Sequence, residues 1–178
     1  MASHHRHHKT IRRMTLPEYE EGIRRVARRD GLTSRDVMGL MAACEEAIKS
    51  DVPFAKVGCA IMCQGVVVSV GHNSLKTDPT QRRWNRFRDF EHVTPSDPAN
   101  MDSLHAEVAA IKGVPYPVAR QMKWGQAKAY VFRVAPGLPL GHGMARPCQA
   151  CWRALGDRGI RQVMYTTDRG FAKEPVVT

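Results

Sequence analysis

Two early stretches of the chain repeat apolar residues at helical spacing. From Thr15 to Arg29, Leu16, Tyr19, Ile23, Val26 and Ala27 fall on one stripe, while Arg24, Arg25, Arg28 and Arg29 largely line another side. Thr15 and Glu18 stand at capping-box spacing, and Pro17 lies in the first turn. From Thr33 to Ser50 the stripe is Val37, Leu40, Met41, Cys44 and Ile48, opened by the pair Thr33 and Asp36. The period then changes to two. Val57 to Cys63 and Val66 to Gly71 read as strands joined by a tight turn at Gln64-Gly65. Further on, Ser103 stands where an N-cap would put His105 in a first helical turn, with Val108-Ala109-Ala110-Ile111 as the buried body of that helix. Pro115 and Pro117 interrupt the pattern. Ala127 to Val134, with Tyr130 and Phe132 alternating, predicts a third strand. Pro147 suits the first position of a helix that continues over Gln149 to Asp157, packs Trp152 and Leu155, and stops at Gly159. Gln162 to Thr166 predicts a fourth strand. A parallel crossover needs a dozen or more residues, usually with a helix, and the turn signal Asp168-Arg169-Gly170 leaves no such room. Any fifth strand, around Val176-Val177, is therefore expected to be antiparallel.

These elements are separated by one long connection, Ser74 to Asp102. It interleaves basic and aromatic residues in Gln81-Arg82-Arg83-Trp84-Asn85-Arg86-Phe87-Arg88-Asp89-Phe90. That composition suits stacking and phosphate binding. It equally suits a packed lid, with Trp84 and Phe87 inward at i,i+3 and the arginines outward. We expect a lid near a binding pocket, with Pro95-Ser96-Asp97-Pro98 as its exposed tip. Residues 1–14, with His4, His5, His7 and His8 clustered, read as a disordered or tag-like tail. Residues 15–178 form a single domain with an N-terminal helix and an insertion at 74–103.

Composition changes the picture in one respect. Hydrophobic residues at 43% and charged residues at 25% are ordinary for a soluble globular domain, but the net charge of +10 is not. It points to an anionic partner, a nucleotide phosphate or nucleic acid, or to a basic surface alone. The N-terminal arginine face admits the same two explanations, nucleic-acid contact or solvation. The five cysteines show no disulfide framework, in keeping with a reducing cytoplasm. Cys44, Cys59 and Cys63 fall on buried faces and read as small core thiols. The basic start is not followed by the apolar run of a signal peptide, and no stretch is long enough to span a bilayer, so no membrane partner is expected. Neither an internal repeat nor a phosphate-cradling G-x-G-x-x-G loop is present.

The chemistry concentrates in Leu104-His105-Ala106-Glu107 and Arg146-Pro147-Cys148-Gln149-Ala150-Cys151, an H-x-E followed by P-C-x-x-C. A catalytic zinc takes three nitrogen or sulfur ligands and keeps a position open for water. His105, Cys148 and Cys151 supply such a set, and Glu107 is left beside it as an acid/base. Cys148 and Cys151 are three apart and share a helix face. Both helix N-termini would turn their positive ends toward the metal. Each half alone is a weak signal, since C-x-x-C also occurs as a redox pair or half of a structural site. Joined in this order, with the proline directly before the first cysteine, they resemble the zinc-dependent nucleobase deaminases: cytidine deaminases, deoxycytidylate deaminases and their nucleic-acid-editing relatives.

The resemblance implies an α/β fold, a three-layer α/β/α sandwich around a mixed sheet of four to five strands. It implies a zinc cofactor, a homo-oligomer, and a substrate site in which Asn73, just after the second strand, contacts the sugar and the Ala106 backbone N–H holds the base O2. Taken from the residues alone, a turn asparagine tolerating a left-handed backbone is the alternative to this substrate role, which we favour. Arg82, Arg83, Arg86 and Trp84 are the candidate substrate contacts from the insertion. Two departures stand out. Many members pass from the third strand to P-C-x-x-C almost directly, whereas Pro136 to Gly143 intervenes here. The deoxycytidylate and tRNA-adenosine branches typically carry a helix after the fourth strand, for which this chain has no room. The expected activity is hydrolytic deamination of the cytosine base of a free nucleoside or nucleotide, deoxycytidylate preferred. Deamination of cytosine or adenine in single-stranded DNA or RNA stays open, as does a non-catalytic zinc protein that binds nucleic acid. Glu107 argues against the last, because a closed structural site needs no acid/base.

Overall fold

The computed structural model describes residues 14–88, 103–138 and 140–177. The His-rich start and the expected lid tip at Pro95–Pro98 lie outside them. Helix α1, Leu16–Arg29, and α2, Ser34–Ile48, open on capping boxes at Thr15 and Thr33. Strand β1, Lys56–Cys63, turns through Gln64-Gly65 into β2, Val66–His72. Both turn residues have positive φ, 53° and 85°, the conformation that closes a two-residue hairpin. Then come β3, Ser74–Thr77; α3, Pro79–Asn85; β4, Ser103–Leu104; α4, Ala106–Gly113; and α5, Tyr116–Gln121. The remainder is β5, Ala127–Val134; β6, His142–Gly143; α6, Gln149–Asp157; β7, Gln162–Thr167; and β8, Gly170–Pro175.

The main sheet runs β2-β1-β5-β7-β8, with β6 added beside β5. Among the described residues only β5 and β7 pair in parallel; the other pairs are antiparallel. One face buries Tyr19 and Ile23 of α1 and Leu40, Ala43 and Cys44 of α2 against Ala60, Met62, Tyr130 and Phe132. The other buries Val108, Ala110 and Ile111 of α4 and Cys151, Ala154 and Leu155 of α6 against Cys59, Ile61, Ala129 and Val131. Alternate residues of β1 and β5 thus serve opposite layers, the period-two pattern of a sheet covered on both sides. The approach of α2 to β1 depends on Gly58, where a Cβ would sit 2.1 Å from the Ala43 carbonyl oxygen. The α/β/α sandwich agrees with the sequence expectation, as do both early helices, the hairpin, the third and fourth strands, and the stop at Gly159, which has φ 86°. Among the described residues no helix is long and apolar enough to cross a membrane.

Four local expectations need correction. Ser103 is not an N-cap: Ser103-Leu104 pairs antiparallel with Ser74–Thr77, and His105 itself takes the extended cap conformation, φ −87° and ψ 151°. Pro147 is not the first helical residue, because Cys148, at φ −69° and ψ 167°, is the N-cap. Pro115 and Pro117 do not merely interrupt a helix. They start α5, where Pro115 is the N-cap and Pro117 lies in the first turn, positions that need no N–H. The last strand is antiparallel as expected, but it lies at Gly170–Pro175 rather than at Val176-Val177.

The loop between β5 and α6 is fastened to the sheet by His142. This residue is 2% exposed, and its Nδ1 lies 2.8 Å from the Thr167 carbonyl oxygen, so the Nδ1–H tautomer donates there. The ring meets Phe132 edge-on and stacks on Phe171. Burial holds its pKa below the ordinary value; Thr167 and Asp168 oppose the shift and Arg29 adds to it. A depressed histidine pKa contributes stability that is complete above the ordinary value and is lost as pH falls below it. Melting temperatures measured between about pH 8 and pH 5 should therefore fall with acid. The fall should be smaller in His142→Asn, which retains a donor near the Nδ1 position but does not titrate. Equal slopes in the two proteins would show that His142 is not the group responsible.

Candidate active site

Two chain segments converge at the helix N-termini on one side of the sheet. His105 caps α4, Cys148 caps α6, and Cys151 lies one turn into α6. The His105 Nδ1 is 3.5 Å from the Cys148 sulfur and 3.3 Å from that of Cys151. All three donor atoms lie within 4.8 Å of one another, and among the described residues this is the one such group of His, Cys, Asp and Glu. Tetrahedral zinc with ordinary Zn–N and Zn–S bonds places nitrogen and sulfur about 3.6 Å apart. One imidazole and two thiols at this spacing fit zinc. Cys44, Cys59 and Cys63 are buried and unpaired by disulfides, as core thiols.

The electrostatics suit a bound cation. Hydrogen bonding from Cys151, and then from His105, brings the Cys148 thiol down to about 4 against the opposing effect of burial. Cys148 is thus a thiolate, the form that ligates metal. Burial drives the Cys151 thiol far up in the absence of a cation. For His105, burial disfavours the charged ring, but the hydrogen bond and charge of Cys148 raise its proton affinity overall. Glu107, 5% exposed, sits in the first turn of α4. Burial raises its pKa, and the Cys148 charge adds to this while His105 opposes it. A buried carboxyl of raised proton affinity suits an acid/base that both takes and returns a proton.

His105, Glu107 and Cys148 line a cavity of about 290 Å³, whose walls also include Asn73, Ala106, Val57, Leu75, Arg133, Met144 and Arg146. Asn73 is firmly held. Its Oδ1 accepts from the Val57 N–H at 2.8 Å and lies 2.8 Å from the Ser50 hydroxyl, and its Nδ2 donates to the Ala55 carbonyl oxygen at 2.7 Å. Its backbone is not left-handed. One side-chain N–H remains for a ligand, since an amide carries two.

The insertion contributes differently from the expectation. Trp84 is a core residue, 9% exposed, rather than a cavity wall. Arg82 and Arg83 are exposed on α3, and neither lines this cavity. Arg86 lines a neighbouring groove of about 720 Å³ with Phe87, Arg88, Arg146, Trp152 and Arg153. The contact that α3 does make was not foreseen. Gln81, fully buried, accepts from the His105 N–H at 3.0 Å and donates to Asn85 Oδ1 at 2.9 Å. It thereby fixes the backbone of the proposed histidine ligand. Arg133 on the cavity wall was also missed. Nothing in a lone glutamine or a strand-end arginine signals such a position.

The sequence matches the family model for the cytidine and deoxycytidylate deaminase zinc-binding region over residues 34–167, from α2 through β7. Among solved structures it resembles the cytidine deaminase from Burkholderia pseudomallei, at 18% identity and a TM-score of 0.50, covering 82% of this chain and 94% of that one. At such identity the likeness speaks for the fold. A RibD from Acinetobacter baumannii aligns at 18% identity and a TM-score of 0.35, over 86% of this chain and 29% of that one. No curated protein matches the sequence. The family match spans well over half of the chain and encloses the whole His105, Glu107, Cys148 and Cys151 constellation, so the chain belongs to the cytidine and deoxycytidylate deaminase zinc-binding family.

Proposed function

We propose that the protein hydrolytically deaminates the cytosine base of a free nucleoside or nucleotide, with deoxycytidylate preferred. The observation that carries this reading is a buried Glu107 of raised proton affinity on the wall of a cavity shared with His105 and Cys148. His105, Cys148 and Cys151 would hold zinc, which would supply Lewis-acid activation of water at neutral pH. Glu107 accepts one water proton and delivers it to ring N3 as the water oxygen bonds to C4; it then takes the second proton from the new C4 hydroxyl and gives it to the amine as the C4–N bond breaks, so that cytosine and water become uracil and ammonia. The Ala106 backbone N–H orients the base at O2, and the remaining Asn73 N–H meets a sugar hydroxyl. Gln81 acts through His105 by holding its backbone.

A second reading, deamination within single-stranded nucleic acid, draws on the groove beside the cavity. There Arg86 and Arg153 lie over Phe87, and Arg146 lies over Trp152. Arginine–aromatic surfaces of this kind suit stacked bases and phosphates. A panel of cytidine, deoxycytidine, their monophosphates and cytosine-containing oligonucleotides, read by mass spectrometry, separates the two. We expect the monophosphates to react without any need for a longer strand. Activity confined to oligonucleotides and falling steeply with salt would favour the strand reading.

A further inference from the structure

Among the described residues two arginines line the cavity, and they are not in the same state. Arg146 is committed: its Nε and Nη2 donate to the two carboxylate oxygens of Glu174 at 3.0 and 2.9 Å, and its guanidinium lies over Trp152. Arg133 has no ion pair among the described residues. Its backbone is held tightly, opposite Val57 in β1 and Gly143 in β6, with its N–H donating to Thr166 Oγ1 at 3.1 Å. Its side-chain Nε is buried without a hydrogen-bond partner among the described residues.

A guanidinium stays charged at any physiological pH. Burying one of its donors without an acceptor is unfavourable, and the deficit would close if the side chain turned to an acceptor in the cavity it lines. The planar fork matches phosphate better than it matches the neutral edge of a pyrimidine. Position supports the same ligand. The base belongs beside Glu107, where the proton transfers occur. Asn73 accepts from the Val57 N–H, and Val57 is the ladder partner of Arg133. Asn73 and Arg133 thus flank one stretch of wall.

The inserted loop completes the arrangement. β6 pairs Gly143 with Arg133, while the N–H groups of Met144 and Ala145 donate to Asp168 Oδ1 and to the Thr166 carbonyl oxygen. The residues between β5 and P-C-x-x-C therefore fold back as the cavity wall beside this arginine. Resting on the deaminase reading above, we infer that Arg133 is the phosphate-binding residue of the cavity and takes the 5′-phosphate of a cytosine nucleoside monophosphate. The arginines of the insertion do not fill this role: Arg82 and Arg83 lie off the cavity, and Arg86 faces the groove.

The test is binding, measured by calorimetry on zinc-loaded Glu107→Ala protein so that turnover does not interfere. Deoxycytidine monophosphate should bind about 30-fold more tightly than deoxycytidine, the worth of a charged hydrogen bond. Adding Arg133→Gln should abolish that preference and leave deoxycytidine affinity within about threefold, whereas Arg133→Lys should keep part of it. Inorganic phosphate should weaken monophosphate binding and spare deoxycytidine, a result that needs no Arg133 variant. A preference that survives Arg133→Gln, an equal loss for both ligands, or indifference to inorganic phosphate overturns the assignment. If a cytosine oligonucleotide binds more tightly than the monophosphate and loses that advantage in Arg133→Gln, the ligand is a strand phosphate and the mononucleotide assignment fails. Because turnover is not the readout, an inactive wild-type enzyme that keeps an Arg133-dependent preference overturns the deaminase reading and not the anchor.

Discussion

Cys148→Ala should reduce bound zinc from about one ion per chain to near none, because two remaining ligands cannot hold a tetrahedral metal tightly. The loss extends to stability. A ligand present at about a thousand times its Kd stabilises the folded state by roughly 4 kcal/mol, and zinc at a tight site easily meets that condition. For a chain of this length each kcal/mol shifts Tm by about 2–4 °C, so a fall of roughly 10 °C is expected. Cys148 is the sensitive choice: it caps α6 and is the thiol held at about 4, already in its ligating form. Elemental analysis should be run on a background in which His4, His5, His7 and His8 are replaced by serine, so that the basic start does not hold adventitious metal. Stoichiometric zinc in Cys148→Ala would remove this cysteine from the ligand set.

Glu107→Ala should dissociate chemistry from folding. One carboxyl serves successive proton transfers, so its removal is expected to lower kcat by about 10⁴-fold or more. Zinc content should stay at the wild-type level, since the nitrogen and sulfur ligands are untouched. Stability should hold or rise, because the carboxyl is buried and its charged form is disfavoured there. Paired turnover and metal measurements on the same preparation check both halves. A zinc-replete Glu107→Ala protein with near-normal kcat would rule out the mechanism, and a zinc-depleted one would mean that Glu107 holds the metal rather than the proton.

The parts of this molecule legible from sequence are those governed by local rules. Thr15 with Glu18 and Thr33 with Asp36 announce their helices because capping is a contact between near neighbours. H-x-E and P-C-x-x-C announce the metal site because ligand spacing on a helix is fixed by the helix itself. What escaped depends on distant partners. Ser103 reads as a cap until β3 arrives to pair with it. Val176-Val177 reads as the last strand because it is apolar. Yet Val176 instead closes the end of the sheet, its N–H donating to the Arg161 carbonyl oxygen, while the strand proper begins at Gly170 directly after the turn. Gln81 and Arg133 are polar residues with buried groups, and only the surrounding fold says what those groups face. Trp84 shows the converse: an aromatic among arginines looks like a stacking platform but belongs to the core. Within the insertion the structure places Gln81 against the His105 backbone, Trp84 in the core, and Arg82 and Arg83 off the cavity.

The central claim is that Glu107, beside the His105, Cys148 and Cys151 site, drives attack of water on a cytosine base. The most direct measurement incubates zinc-loaded wild-type and Glu107→Ala protein with deoxycytidine monophosphate in ¹⁸O-labelled water and weighs the product. The account predicts ammonia together with deoxyuridine monophosphate carrying a single ¹⁸O from solvent, formed by the wild type and almost absent with Glu107→Ala. Unchanged substrate with the wild type across the cytosine nucleosides and nucleotides, or labelled product at equal rates from both proteins, would contradict it.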